Sequence, residues 1–294
     1  MQRRQFGTGL ALVLSSTLPV MCAASHPAGD ASSPGASPWR EIEASVGGRL
    51  GVAVLDTGTG RVEGHRLDER FPMCSTFKWL AAALILKRVD NGEEKLARRV
   101  RFGRESLLNN SSISEQHLAD GMTIAQMCEA AVTVSDNAAA NLLLNSFGGP
   151  PAVTRFARSL GDTMTRLDRM EPALNESRAG DPRDTTTPRA MSVALNAALL
   201  GDALSPASRG QLLQWLQATK TGDERLRAGV PATWKVGDKT GTGAHGSTND
   251  VGVLMPPGRA PLIVAAYLTQ TTAPMPRRNK ALADVGRAVA KMIG

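Results

Sequence analysis

The chain has 294 residues, 42% hydrophobic and 21% charged, an ordinary globular composition with enough apolar material for a sizeable core. Disorder, a coiled coil and a collagen-like repeat are excluded on that ground. Thirty-four Lys and Arg against 27 Asp and Glu give a net charge of +7, yet aromatics are only 4% and no basic stripe interleaves with them. The balance describes a mildly basic protein and gives no support to a nucleic-acid surface.

Residues 1–25 contain no acidic residue. Arg3-Arg4 and Phe6 precede an apolar stretch from Leu10 to Met21, and the small residues Ala23, Ala24 and Ser25 follow. This order predicts an export signal, with a twin-arginine signal and an ordinary secretory signal both compatible. Cys22 does not make a good lipid-attachment site, because bulky Met21 precedes it. Residues 26–37 turn to Pro, Gly, Ala and Ser and read as a flexible leader. No later apolar run approaches the roughly 20 residues of a membrane span. The expectation is a periplasmic or secreted protein with no membrane segment after signal removal. Its remaining cysteines, Cys74 and Cys128, are expected to be free and buried.

Arg49–Asp56 reads as a strand closed by the turn Thr57-Gly58-Thr59-Gly60. From about Ser75 to Leu216 the pattern is mostly helical, as in 79–89, 123–133, 138–146 and 188–200. Strand character returns in 232–236, 250–255 and 262–270, and a last helix covers about 279–292. Strands from both chain ends most economically share one sheet. The predicted organisation is therefore an α/β domain of residues 38–66 and 218–294 with an all-α domain, 67–217, inserted. Such an interface favours a cleft.

Ser75-Thr76-Phe77-Lys78 leads into a helix that is apolar all round from Trp79 to Leu86 and is therefore buried. Ser75 and Lys78, at i and i+3, share a face with Cβ atoms about 5–6 Å apart. Burial lowers the pKa of a lysine toward that of a useful base, and free N–H groups at a helix start stabilise developing negative charge. These are the parts of an activated nucleophile; an N-capping serine and a snorkelling lysine are the plain alternative. Ser135-Asp136-Asn137 joins two helical stretches and offers a hydroxyl and an amide, or simply a helix cap. Lys-Thr-Gly occurs twice. Lys220-Thr221-Gly222 reads as an exposed turn, whereas Lys239-Thr240-Gly241 lies beyond the strand-like 232–236 and is followed by Thr242 and Gly243. The four histidines are scattered, without metal-ligand spacing, and no phosphate-binding glycine loop is present; no metal and no cofactor are expected.

The set S-x-x-K, S-D-N and K-T-G, in that order, resembles the penicillin-recognising serine enzymes. Arg169-Met170-Glu171-Pro172-Ala173-Leu174-Asn175-Glu176, followed by Arg183-Asp184, is similar to the omega loop, here 169–184, of class A β-lactamases. The resemblance runs from about Pro38 to Gly294. It implies an antiparallel sheet flanked by terminal helices, with an inserted helical domain, and hydrolysis of penicillin- or cephalosporin-type antibiotics by one monomer through a serine acyl-enzyme. Catalysis would fall to Ser75 as nucleophile, Lys78 and Glu171 as candidate bases, and Ser135 as proton relay. Asn137 would hold the substrate's side-chain amide, and Asn175 would help position the hydrolytic water. Lys239, Thr240 and Gly241 would line the substrate site, Lys239 and Thr240 meeting its carboxylate. Thr242 and Ser75 would supply the oxyanion-hole N–H groups. The resemblance also implies a cis Glu171-Pro172 bond and an Arg169–Asp184 ion pair across the loop.

Departures from the family pattern are local. Gly243 stands where some carbapenem-hydrolysing relatives pair a cysteine with the position of Cys74. Ala82 replaces the partner that others carry for Cys128. Asn109-Asn110 replaces an aromatic at the cleft rim. Thr248 stands where an arginine is common, and Arg225 matches the alternative arginine for the same carboxylate. A penicillin-binding D,D-peptidase shares the first three motifs but lacks the Glu171–Asn175 pair, and a non-catalytic binding protein would have no need of Ser75 and Lys78.

Overall fold

The computed structural model describes residues 37–293; the export signal expected over 1–25 and all but the last residue of the leader expected over 26–37 lie outside the described residues. In chain order the elements are α1 (Pro38–Val46), β1 (Arg49–Asp56), β2 (Val62–His65), β3 (Phe71–Pro72), α2 (Phe77–Asp90), β4 (Arg99–Val100), α3 (Ser112–Gln116) and β5 (Met122–Thr123). They continue with α4 (Ile124–Thr133), α5 (Asn137–Ser146), α6 (Pro150–Ser159), β6 (Thr185–Thr186), α7 (Pro188–Leu199) and α8 (Pro206–Gln217). The last are α9 (Leu226–Gly229), β7 (Lys235–Thr242), β8 (Thr248–Met255), β9 (Leu262–Thr269) and α10 (Met275–Ile293).

The main sheet has five antiparallel strands in the order β2-β1-β9-β8-β7, so the first strand of the chain pairs with the last, as the sequence suggested. Period-two alternation divides its side chains between two cores. Leu50, Val52 and Val54 of β1, with Leu262, Val264, Ala266 and Leu268 of β9, pack against α1 and α10. Leu55, Ile263, Ala265 and Tyr267 point the other way, into the core built on α2, α4, α5, α7 and α8. Helices on both faces make β9 buried throughout, which explains its nearly unbroken apolar run.

The helix Phe77–Asp90 is the spine of the second core. Trp79 to Ala83, Ile85 and Leu86 are fully or almost fully buried, and Lys78 among them has no exposed surface; the snorkelling alternative is thereby overturned. Ser75 lies in a short 3₁₀ turn, Cys74–Thr76, immediately before this helix. Among the described residues both cysteines are free and buried, and no helix is long and apolar enough to cross a membrane.

One expected boundary moves in a way that matters for function. The strand read as 232–236 runs on to Thr242, so Lys239-Thr240-Gly241 lies inside β7 and not beyond it. Glycine and aspartate weaken the local strand signal, but β7 pairs with β8 from Lys235↔Met255 to Thr242↔Thr248, and tertiary pairing overrides propensity. Helix α1 and strand β2 complete the sheet lobe without having been singled out. Pro38 opens α1 at a favoured position, and Trp39, Ile42 and Val46 recur on one buried face.

Candidate active site

Four segments converge where β7 meets the start of α2. Gly241 permits the closest approach: a methyl group there would lie 2.7 Å from Met73 O and 3.2 Å from Ser75 N. Asn249 on β8 fixes the preceding turn by donating to Pro72 O and Met73 O. Cys74, with φ of 47°, gives the turn a left-handed residue directly before Ser75, and burial pushes its thiol up to about 12.

Ser75 Oγ donates to Glu171 Oε1 at 3.0 Å, and Lys78 Nζ lies 3.0 Å from the same oxygen. Serine and lysine on one helical face are thus joined through a carboxylate from the omega loop. Lys78 also donates to Ser135 O at 2.9 Å, Ser135 Oγ at 3.2 Å and Asn137 Oδ1 at 2.6 Å. Removing an ammonium from water costs several kcal/mol even after relaxation, and this ring of oxygens offsets it. Burial is the main influence on Lys78 and lowers its pKa, while Glu171 and then Asp136 act in the opposite direction.

Ser135 is held by a cap and a strained backbone. Asp136 caps α5 through Ala139 N and accepts from the Ser114 hydroxyl and from the Ile113 and Ser114 amides. Ser135 takes φ of 61°, and Asn110 Nδ2 donates to its carbonyl. The Ser135 hydroxyl accepts from Lys78 and, at 3.1 Å, from Lys239. With both lone pairs engaged, its own O–H is left free to donate. Lys239 is fully buried and also donates to Thr240 O. Burial, with the charges of Lys78 and Arg225 adding to it, holds its ammonium well below the usual lysine range.

The omega loop is closed at its neck by Asp184, which accepts from the amides of Asp168 and Arg169 and pairs with Arg169 Nε at 2.6 Å. The Glu171-Pro172 bond is cis. Glu171 is gripped twice over. Asn141 on α5 donates to its carbonyl and accepts from its amide, and Asn175 Nδ2 donates to Oε2.

The sequence-derived residues Ser75, Lys78, Ser135, Asn137, Glu171, Asn175, Lys239, Thr240, Gly241 and Thr242 therefore gather in one place. Arg225 arrives from behind. It is 6% exposed and donates to Gly241 O, Asn249 O and Thr242 Oγ1, so it meets the cleft through Thr242. Sequence reasoning passed over Asn141, whose only signal is its place one turn beyond Asn137. It also passed over Thr221. That residue belongs to the Lys-Thr-Gly copy read as an exposed turn, and its hydroxyl lies 2.6 Å from that of Thr240.

A sheet-and-helix fold with a serine, a buried lysine and a loop carboxylate at one point defines a serine acyl-transfer hydrolase. Residues 37–293 match the Beta-lactamase enzyme family. β-Lactamase L2 of Stenotrophomonas maltophilia is 44% identical, with 99% of each chain covered. The carbapenem-hydrolysing β-lactamase KPC of Klebsiella oxytoca is 48% identical over 79% of this chain and 80% of its own. An ancestral class A β-lactamase superposes with a TM-score of 0.85 at 61% identity, covering 86% of this chain and 97% of that one. The crystal structure of the putative class A β-lactamase PenP from Rhodopseudomonas palustris gives a TM-score of 0.85 at 63% identity, with the same shares covered. The chain belongs to the class A β-lactamases, and its activity is hydrolysis of the β-lactam ring.

Proposed function

We propose that this chain hydrolyses its β-lactam through an ester on Ser75, with Glu171 acting at both stages. The observation that carries this reading is the single oxygen, Glu171 Oε1, lying 3.0 Å from Ser75 Oγ and from Lys78 Nζ. The Ser75 hydroxyl proton passes to Glu171, or to Lys78 as its free amine when that carboxylate is absent, as Ser75 attacks the lactam carbonyl. Lys78, whose ammonium is disfavoured by burial, bridges Glu171 and Ser135 and can pass a proton between them. The developing oxyanion is met by the N–H groups of Ser75 and Thr242, a role supported by the close seating of Gly241 on the nucleophile turn. Ser135 delivers its O–H proton to the departing nitrogen as the lactam C–N bond breaks and is resupplied by Lys78, which recovers the proton held by Glu171 and leaves that carboxylate ionised.

Glu171, ionised again, then draws a proton from the water that attacks the ester and returns it to Ser75 Oγ as the ester bond breaks. Asn175 Oδ1 has no hydrogen-bond partner among the described residues, which supports it as the second acceptor for that water. The substrate carboxylate meets Lys239, Thr240 and Thr242, with Arg225 adding positive charge behind Thr242, and Asn137 holds the acylamino side chain. In this reading the machinery spans an α/β lobe, 38–66 and 218–294, and a helical lobe, 67–217. All of it comes from one chain, so a monomer suffices, and the twin-arginine-like leader supports action in the periplasm or outside the cell.

A crystal of Glu171→Gln soaked with benzylpenicillin tests the assignment. Density for an ester on Ser75 Oγ is expected, with its carbonyl oxygen about 2.7–3.1 Å from both N–H groups and its carboxylate against Lys239 and Thr240. An adduct on another residue, or a carboxylate directed away from β7, overturns it.

A further inference from the structure

Away from the catalytic cleft, α6 and the chain entering the omega loop enclose a pocket of about 480 Å³. Thr154 staples its two walls together: the hydroxyl donates to Leu167 O at 3.2 Å and accepts from Leu167 N at 2.9 Å. Four arginines line it. Arg155 and Arg158 share one face of α6 at i and i+3, Arg70 enters from the segment before β3, and Arg166 stands at the foot of the loop.

Their charge is poorly compensated. Asp168 is the carboxylate in the lining, and Arg166 holds it with two nitrogens at 2.6–3.2 Å. Behind the wall, Asp162 Oδ1 accepts from Met164 N and Thr165 N and forms a long ion pair, 3.9 Å, with Arg158 Nη1, which donates to Asp162 O at 2.6 Å. Arg70 Nη1 donates to neutral oxygens, Met164 O and Thr185 Oγ1. Arg155 has neither an ion pair nor a hydrogen bond among the described residues. Against Asp168 in the lining and Asp162 behind it, the four guanidinium groups leave an excess of two positive charges at the cavity wall. Guanidinium forks match the oxygens of phosphate in pairs and carry less hydration than ammonium groups.

We propose that this pocket binds a small multivalent oxyanion of the phosphate class. The ligand spans Arg155 and Arg158 on one wall and Arg166 and Arg70 on the other. It thereby fastens α6 to the segment that continues into Arg169, Met170 and Glu171.

The test is calorimetric titration of the whole protein with inorganic phosphate, alongside Arg155→Glu and Arg158→Gln. Competitive inhibition of β-lactam hydrolysis separately reports any phosphate entering the catalytic cleft. Neither arginine touches that cleft, so both variants should keep the wild-type kcat. The proposal expects a non-competitive phosphate site weakened at least about tenfold by each substitution. At phosphate 100 times its Kd the wild type should gain about 5–10 °C in Tm, with no gain from sodium chloride at equal ionic strength. Glycerol phosphate binding as tightly as inorganic phosphate would point to an esterified ligand, and weaker binding to the free ion; either supports the site. Absence of a non-competitive site, variants that bind phosphate like wild type, or an equal response to chloride overturns it.

Discussion

Ser75 donates its hydroxyl straight to Glu171, Oγ to Oε1 at 3.0 Å. The same oxygen pairs with Lys78, and the other is held by Asn175, so this carboxylate is fixed at both ends. A nucleophile, a base and a cation are thus coupled through one atom at the end of a buried helix. The coupling depends on an omega loop whose neck is closed by Asp184.

Replacing Ser75 with Ala removes the atom that carries the ester. Turnover of a chromogenic cephalosporin should fall by about 10⁴-fold or more, and intact-mass measurement should show no adduct. Turnover near wild type would assign the nucleophile elsewhere.

Asn141 touches Glu171 only through its backbone, accepting from the amide and donating to the carbonyl. Asn141→Leu should cost about 1–3 kcal/mol of stability for the groups left unpaired. It should also slow deacylation more than acylation in single-turnover kinetics. A stability loss without change in the deacylation rate would make Asn141 a structural residue alone.

Arg225 spends its donors on Gly241 O, Asn249 O, Thr242 Oγ1 and Asn279 Oδ1. Arg225→Ala should raise KM for β-lactams with a free carboxylate while leaving KM little changed for the same compounds esterified at that group. An equal rise for both would mean that Arg225 shapes β7 and takes no part in reading the substrate's charge.

Asp250 is fully buried on β8, and burial holds its carboxyl well above the ordinary 3.8; neighbouring Asp238 reinforces this, while Arg225 and the Leu226 amide oppose it. The folded state therefore keeps a proton that the unfolded chain releases above pH 3.8. Its contribution to stability is complete below 3.8 and is lost as pH rises through the folded value. Asp250→Asn stays neutral throughout, so its stability relative to wild type should climb by about 1.4 kcal/mol for each pH unit crossed in that window. Urea midpoints at pH 4, 6 and 8 measure the difference; a flat difference contradicts the raised carboxyl.

Much of this site is legible in the sequence because each motif sits on an element with a strong local signal. Ser75 and Lys78 begin a helix apolar on every side, and Glu171-Pro172 is embedded between charged residues that close a loop. Lys239-Thr240-Gly241 reads as lying outside its strand because the strand is specified by β8 across from it, a non-local pairing that the local residues do not encode. The role of Thr221 is hidden for a similar reason. Its tripeptide reads as a turn, and only the folded chain brings its hydroxyl to Thr240. Asn141 lies on the polar side of an otherwise ordinary helix, and its two bonds go to backbone atoms 30 residues away. Arg225 was recognised, but not its burial, which follows from carbonyls on two neighbouring strands facing it.

The most direct measurement is intact-mass spectrometry of Glu171→Ala after brief exposure to benzylpenicillin, with peptide mapping of the product. A stoichiometric penicilloyl adduct on Ser75 that persists for hours is expected, because the carboxylate that activates water is gone. Adduct that clears as fast as that of the wild type measured alongside would contradict a water-activating role for Glu171.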